Sequence, residues 1–263
     1  MGVTIHDLRG FKERGERFAM LTAYDFPTAQ ILDAAGIPVL LVGDSLSNVI
    51  LGYDSTVPVT MDEMLHHTRA AARGASHALI VGDMPFGSYQ GSIEDGMRNA
   101  MRFMKEGGAH AVKLEGAQTE LIARLVNAGV PVMGHLGLTP QSVHQFGGYK
   151  VQGRTEEQAD SIRRWAKEIE EAGAFSLVLE AVPSSLAARV TKQLSIPTIG
   201  IGAGPECDGQ VLVIHDLIGL TGGRVPKFVK QYASVRDDIA SAARAYADEV
   251  ARGEFPGPEH SYP

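Results

Sequence analysis

Eight short apolar runs, separated by amphipathic stretches over 263 residues, predict a (β/α)8 barrel. Three observations carry that expectation. The runs are almost continuous in Val, Ile, Leu and Ala, as in parallel strands covered on both faces. The stretches between them place apolar residues at helical spacing. A glycine-containing pair (Ala35-Gly36, Gly107-Gly108, Ala128-Gly129, Ala172-Gly173) closes four of those stretches. Each pair is followed by an apolar run and then a polar residue, and glycine is the expected C-terminal helix cap. A doubly wound open sheet shares this alternation and is the alternative.

The elements follow in order. Ala19–Ala23 is the first predicted strand and Thr28–Ala35 a helix; Val39–Gly43 is the second strand. Met61–Gly74 is a helix with Met61, Met64, Leu65, Thr68 and Ala72 on one stripe; Pro58 precedes it and Thr60 is its expected cap. Ala78–Gly82 is a strand, Ile93–Gly107 a helix, Ala111–Leu114 a strand and Thr119–Ala128 a helix. Val132–Gly134, Ser176–Leu179, Thr198–Ile201 and Val211–Ile214 are the remaining strands, with helices at Glu156–Ala172 and Ser184–Leu194. Ala240–Ala251 reads as a last helix, and the tail from Gly253 to Pro263, with three prolines, reads as irregular. No linker or low-complexity segment interrupts the chain, so residues 1–263 are expected to form one barrel with an N-terminal helix.

Composition narrows the function. There are 24 basic and 31 acidic side chains, giving a net charge of −7, which disfavours nucleic acid and anionic membranes as general partners. An anionic substrate remains compatible, because a local pocket can oppose the net charge. Cys207 is the one cysteine, so there is no intrachain disulfide and no thiolate zinc cluster. That fits a reducing cytoplasm. The charge-rich stretch Met1–Arg17 does not read as a secretory signal, and runs such as Pro38–Val42 are too short to cross a bilayer. Glycine, at 30 residues or about 11% against roughly 7% in average proteins, implies many tight turns.

The polar residues at the strand ends carry the chemistry: Tyr24 and Asp25, Asp44 and Ser45, Asp83, Lys113 and Glu115, His135, and Glu180. In a barrel these ends form one rim, where active sites lie. A single Asp after a strand is commonly a turn residue or helix cap. Several together repel one another unless a cation or proton compensates. Asp44, Asp83 and Glu115 are therefore a candidate site for a hard divalent ion, and oxygen donors without thiols favour Mg²⁺ over Zn²⁺. Lys113 and Glu115, two apart on a strand, share a face. Lys113 is read as a carboxylate holder or a Schiff-base lysine, or as half of a structural ion pair. Glu180 ends the apolar run Phe175–Leu179, and a carboxylate desolvated in such surroundings suits general acid–base work. His135 is either a substrate contact or a satisfied core imidazole; His66 and His67 read as surface residues. Gly200–Gly204 could cradle an anion, but it lacks both the dinucleotide fingerprint and the P-loop lysine. The stretch His144–Arg154, HQFGGYKVQGR, reads as a lid or a plain surface loop. No GxSxG elbow occurs, and acidic neighbours of Cys207 disfavour a thiolate nucleophile.

Several longer stretches together resemble the ketopantoate (3-methyl-2-oxobutanoate) hydroxymethyltransferase family. They are MLTAYDFPTA (Met20–Ala29), LLVGDSL (Leu40–Leu46), GDMPFGSY (Gly82–Tyr89), AVKLEG (Ala111–Gly116), GHLGLTPQ (Gly134–Gln141), FGGYKVQGR (Phe146–Arg154), LVLEAVP (Leu177–Pro183) and IGIGAG (Ile199–Gly204). The resemblance runs from about Val3 to the end. It implies a TIM barrel of the phosphoenolpyruvate/pyruvate-binding type. It implies hydroxymethyl transfer from 5,10-methylenetetrahydrofolate to 3-methyl-2-oxobutanoate, giving 2-dehydropantoate for pantothenate and coenzyme A synthesis through a Mg²⁺-stabilised enolate. It also implies a homo-oligomer, a pentamer of dimers. By the same resemblance, Mg²⁺ falls on Asp44, Asp83 and Glu115, the 2-oxo acid on Asp44, Ser45, Asp83 and Lys113, and the proton acceptor on Glu180. The competing expectations are a Mg²⁺-dependent aldolase or lyase acting on another 2-oxo acid, and a non-catalytic ring-forming scaffold.

Overall fold

The computed structural model describes residues 2–148, 150–223 and 225–263. Eight parallel strands close into a barrel: β1 (Phe18–Thr22), β2 (Val39–Val42), β3 (Leu79–Asp83), β4 (Ala111–Glu115), β5 (Val132–Gly137), β6 (Ser176–Glu180), β7 (Thr198–Ile201) and β8 (Gly209–Leu212). Pairing of β1 with β8, through Phe18↔Gly209 to Leu21↔Leu212, rules out the open-sheet alternative. The helices are α1 (Ile5–Glu13), α2 (Phe26–Ala34), α3 (Leu46–Val49), α4 (Met61–Gly74), α5 (Ile93–Arg102), α6 (Thr119–Asn127), α7 (Val143–Phe146), α8 (Glu156–Glu171), α9 (Ser184–Gln193), α10 (Ile214–Leu217) and α11 (Val235–Arg252). By packing, the chain forms two compact units, Met1–Val213 and Ile214–Pro263, where the sequence reading takes residues 1–263 as one.

In the first unit, residues two apart along each strand share the barrel interior. Leu79, Val81 and Asp83 do so on β3, Ala111, Lys113 and Glu115 on β4, Met133 and His135 on β5, and Val178 and Glu180 on β6. The lower members join Met20, Val39, Leu41, Ile199 and Val211 in one buried apolar cluster. The upper members are ionisable and stand at the C-terminal ends. Helix α1 closes the opposite end: Leu8 is fully buried in the cluster, and Ile5 and Phe11 pack against it. A capping box between Thr4 and Asp7 starts that helix.

The expected caps are present. Thr60 and Glu63 form a capping box at the start of α4. Gly36, Gly108, Gly129 and Gly173 all take positive φ, between 71° and 98°, where a side chain would be strained. Several boundaries differ from expectation. Strands β3 to β6 run on through Asp83, Glu115, Gly137 and Glu180, because ladder pairing with the neighbouring strand, not apolarity, sets where a strand ends. Strand β8 begins at Gly209, and Ile214 opens α10. The helix expected over Ile93–Gly107 is α-helical only to Arg102; Phe103–Gly107 is one wider π turn. That turn lays Phe103 against Gly82, where any side chain would meet the ring.

In the second unit, α11 extends the expected helix at both ends. Asp237 and Asp238 lie in its first turn, where the helix dipole favours them, and Gly253 at φ 69° ends it. The tail beyond is irregular apart from a short 3₁₀ turn at Pro258–His260. No helix among the described residues is long and apolar enough to cross a membrane.

Candidate active site

Strand register brings the predicted residues together. Asp83 is the β-ladder partner of Lys113, and Glu115 of His135. Lys113 Nζ lies 2.9 Å from Asp83 Oδ1 and 4.0 Å from Glu115 Oε1. It is also 3.2 Å from His135 Nδ1. His135 Nδ1 is 3.5 Å from Glu115 Oε1, and on the other side of the ring Nε2 is 3.3 Å from Glu180 Oε2. Asp44, two residues past β2, donates its backbone N–H to Asp83 Oδ2 at 3.1 Å. Asp44, Asp83, Lys113, Glu115 and His135 are all buried. Glu180 keeps 18% of its side chain open, so it meets both solvent and an imidazole where the sequence reading expects apolar surroundings. Ser45 is half-buried, and its hydroxyl lies 2.8 Å from that of Tyr24.

The other strand-end residues separate from this group. Asp25 is the N-cap of α2, accepting from Thr28 N–H at 2.8 Å. His67 is half-buried, with Nδ1 2.6 Å from the Tyr24 carbonyl, while His66 is exposed. Cys207 is buried and burial pushes its thiol up, which disfavours the thiolate. Gly202 and Gly204 turn the chain after β7 at positive φ. Within the predicted lid His144–Arg154, Tyr149 lies outside the described residues; Gln152 is tied to the Ala181 carbonyl by its backbone N–H at 2.9 Å.

The electrostatics show what the cluster lacks. Burial pushes the Asp44 carboxyl well above its usual range, and the charges of Asp83 and Glu115 add to that. Burial raises Asp83 as well, against the pull of Lys113. Burial opposes the charge on Lys113, but Asp83, Glu115 and Asp44 outweigh it, so the ammonium holds its proton tightly. Burial also opposes the charge on Glu115, yet His135 and Lys113 hold that carboxyl below its usual value. His135 is pushed up to about 9, its contacts with Glu115 and Glu180 outweighing burial and Lys113. Asp44 and Asp83 thus ionise only against burial and their acidic neighbours, an opposition that a further cation would relieve.

A doubly charged cation fits that balance. Asp83 Oδ1 and Glu115 Oε1 are buried oxygens that already face positive charge, from Lys113 and His135. Among the described residues no group of three or more His, Cys, Asp or Glu side chains is gathered tightly enough to hold a metal alone. Magnesium does not require that, since it commonly takes one or two carboxylates and fills its other positions with water and substrate.

Residues 2–258 match the family model described as ketopantoate hydroxymethyltransferase. The chain belongs to the ketopantoate hydroxymethyltransferase family. It is 57% identical over 262 residues to the 3-methyl-2-oxobutanoate hydroxymethyltransferase of Syntrophus aciditrophicus, covering 99% of this chain and 96% of that protein. The enzyme of that name from Frankia alni is 58% identical over 261 residues, covering 98% and 86%. This member of the family is therefore an enzyme. Its barrel resembles solved structures of phosphonopyruvate hydrolase (TM-score 0.63, 13% identity, covering 99% of this chain and 92% of that one) and 2,3-dimethylmalate lyase, a PEP mutase/isocitrate lyase superfamily member (0.59, 16%, 100% and 93%). These likenesses show the fold, as the phosphoenolpyruvate/pyruvate-type expectation requires.

Two residues of this hydroxymethyltransferase-family site escape the sequence reading. Tyr89 and Gln141 are buried against the acidic cluster and bonded to each other at 2.9 Å. Both stand in the motif stretches that carry the resemblance, and that position was the available signal.

Proposed function

We propose that this chain transfers a hydroxymethyl group from 5,10-methylenetetrahydrofolate to 3-methyl-2-oxobutanoate, giving 2-dehydropantoate, with Mg²⁺ as its metal. The observation that carries the reading is the meeting of Asp44, Asp83, Glu115, Lys113, His135 and Glu180 on one barrel rim. The names of the relatives give the reaction.

Asp44 and Asp83 would hold the ion, with Glu115 as the third donor, and the ion would supply a Lewis acid for the oxygens of the 2-oxo acid. The chain's own residues do the rest. Lys113, locked as an ammonium, balances the negative charge of the substrate. Ser45, on the loop that carries Asp44, lines the same substrate position. Glu180, open to the mouth, takes the proton from C3, and the carbon so freed forms the new C–C bond to the one-carbon unit; both bonds from that unit to the folate nitrogens break, one water supplies the hydroxyl, and tetrahydrofolate leaves. His135, 3.3 Å from Glu180, holds that carboxylate in place and presents an N–H to it. The same reading includes a cytoplasmic location and a homo-oligomer, a pentamer of dimers. Support for assembly is that the 18-residue α11 buries none of its residues in the single chain.

General-base catalysis contributes roughly 10²–10⁴-fold. Glu180→Gln is expected to lower kcat by at least about 10²-fold while the 2-oxo acid still binds. Exchange of the C3 hydrogen with deuterated solvent isolates this step, and exchange at near wild-type rate in the variant removes Glu180 from the role. Formation of product only with both folate and metal separates the transferase from an aldolase, which turns over without folate, and from a scaffold, which does not turn over.

A further inference from the structure

Gln141 lies in the 3₁₀ turn Pro140–Ser142 beyond β5 and is 4% exposed. Its carboxamide is fully engaged. Nε2 donates to Asp44 Oδ2 at 3.0 Å and to the Met84 carbonyl at 2.9 Å. Oε1 accepts from the Tyr89 hydroxyl at 2.9 Å and from Gln90 Nε2 at 3.0 Å. The backbone N–H of Gln141 donates to Glu115 Oε2 at 3.1 Å. The Tyr89 hydroxyl accepts from Glu115 N–H at 3.1 Å, so its own proton goes to Gln141 Oε1. This chain of donors decides which end of the amide faces Asp44: it has to be the nitrogen.

The consequence is directional. One oxygen of Asp44 and one of Glu115 are each occupied by a neutral donor from the same residue. Asp83 follows the pattern, with Oδ2 taken by Asp44 N–H. The opposite oxygens, Asp83 Oδ1 and Glu115 Oε1, face the Lys113 ammonium at 2.9 and 4.0 Å. A neutral donor aims a carboxylate without cancelling its charge, which an arginine or lysine in the same place would do.

We propose that Gln141, locked in orientation by Tyr89, is the positioning residue of the acidic cluster, turning Asp44 and Glu115 so that their remaining oxygens face the cation. This rests on the divalent-ion reading of the site. Tyr89 reaches Asp44 only through Gln141, while its hydroxyl also accepts directly from the Glu115 backbone N–H.

The test is a double-mutant cycle on the full-length protein with Gln141→Met, Tyr89→Phe and the pair. Methionine keeps the length and volume of glutamine but has no amide. Binding of Mn²⁺ alone is followed by electron paramagnetic resonance, and kcat and KM for 3-methyl-2-oxobutanoate are measured beside it. Gln141→Met is expected to weaken Mn²⁺ binding at least tenfold and Tyr89→Phe by a smaller factor. The pair is expected to be no worse than Gln141→Met alone, because residues in one network are not additive. Mn²⁺ affinity within twofold of wild type in both single variants overturns the proposal, and so do factors that multiply in the pair. Should Gln141→Met fail to fold by thermal melting, Tyr89→Phe alone decides: a loss of Mn²⁺ affinity supports the proposal and an unchanged affinity overturns it. A wild-type protein that binds no Mn²⁺ overturns the divalent-ion reading as well, a separable outcome.

Discussion

Asp44 ionises against resistance from three sides: burial, Asp83 and Glu115. An acid whose folded pKa is raised binds its proton more tightly in the native state than in the unfolded one. Its contribution to stability is therefore present at low pH and is lost as pH rises from about 3.9 through the raised native value. Asparagine at this position cannot ionise. Without divalent ions at pH 8, Asp44→Asn is expected to melt about 2–4 °C above the wild type, a gap that closes as pH falls. Activity moves the other way, with at least about a 10²-fold loss. Thermal melting across pH 5–8 in chelator checks this, and a variant that melts no higher than wild type at pH 8 contradicts it. Residue type and position made Asp44, Asp83, Lys113, Glu115, His135 and Glu180 legible in the sequence, because an ionisable group directly after an apolar run is conspicuous. The same local pattern fits Asp25, which is a helix cap; only the path of the chain separates the two. Gln141 and Tyr89 were invisible because an amide and a phenol have many ordinary uses. Their importance comes from a turn beyond β5 folding back over strand ends far away in the sequence.

Elements are joined by a latch of the same kind. Asp33, near the end of α2, accepts the backbone N–H groups of Ser76, His77 and Ala78 at 3.0, 3.0 and 2.7 Å. Burial opposes its charge, but these donors outweigh burial and hold the carboxyl well below its usual range. It ties the end of α2 to the entry of β3. Asp33→Ala leaves three backbone donors without their partner, a loss of about 2–3 kcal/mol. A lowered native pKa contributes stability that is complete above about pH 4 and fades as pH falls through the native value. The difference between variant and wild type is thus expected to be full at pH 7 and to shrink in acid, as read by urea unfolding; a variant equally stable at pH 7 refutes the latch. At the closed end of the barrel, Leu8→Ala removes a fully buried side chain and is expected to destabilise by about 2–5 kcal/mol in the same assay. Helix and strand identity were readable from periodicity and caps. The wider turn at Phe103–Gly107 was not, because it goes with a contact of Phe103 on Gly82, which lies on another element.

Across the barrel, the rim residues tie β2 to β6 through one shared charge problem. A ligand that solves it stabilises the folded state by mass action, about 2.7 kcal/mol at a hundredfold excess over Kd. Mg²⁺ with 3-methyl-2-oxobutanoate is expected to raise the melting temperature more than either alone, and a melt that ignores both together denies the shared site. The (β/α)8 topology was legible because each helix, glycine and strand unit repeats. Closure was not written in any one unit, since β1 and β8 find each other only when all eight are assembled. Lys113 draws a last consequence from its place 2.9 Å from Asp83. It is a resident place-holder: a newly made polypeptide carries its own positive charge to the centre and needs no ion to complete the scaffold. Under the proposed divalent-ion reading, loading is then a late and reversible equilibrium, and the share of molecules ready to work follows the supply of that ion, not the rate at which the protein is made.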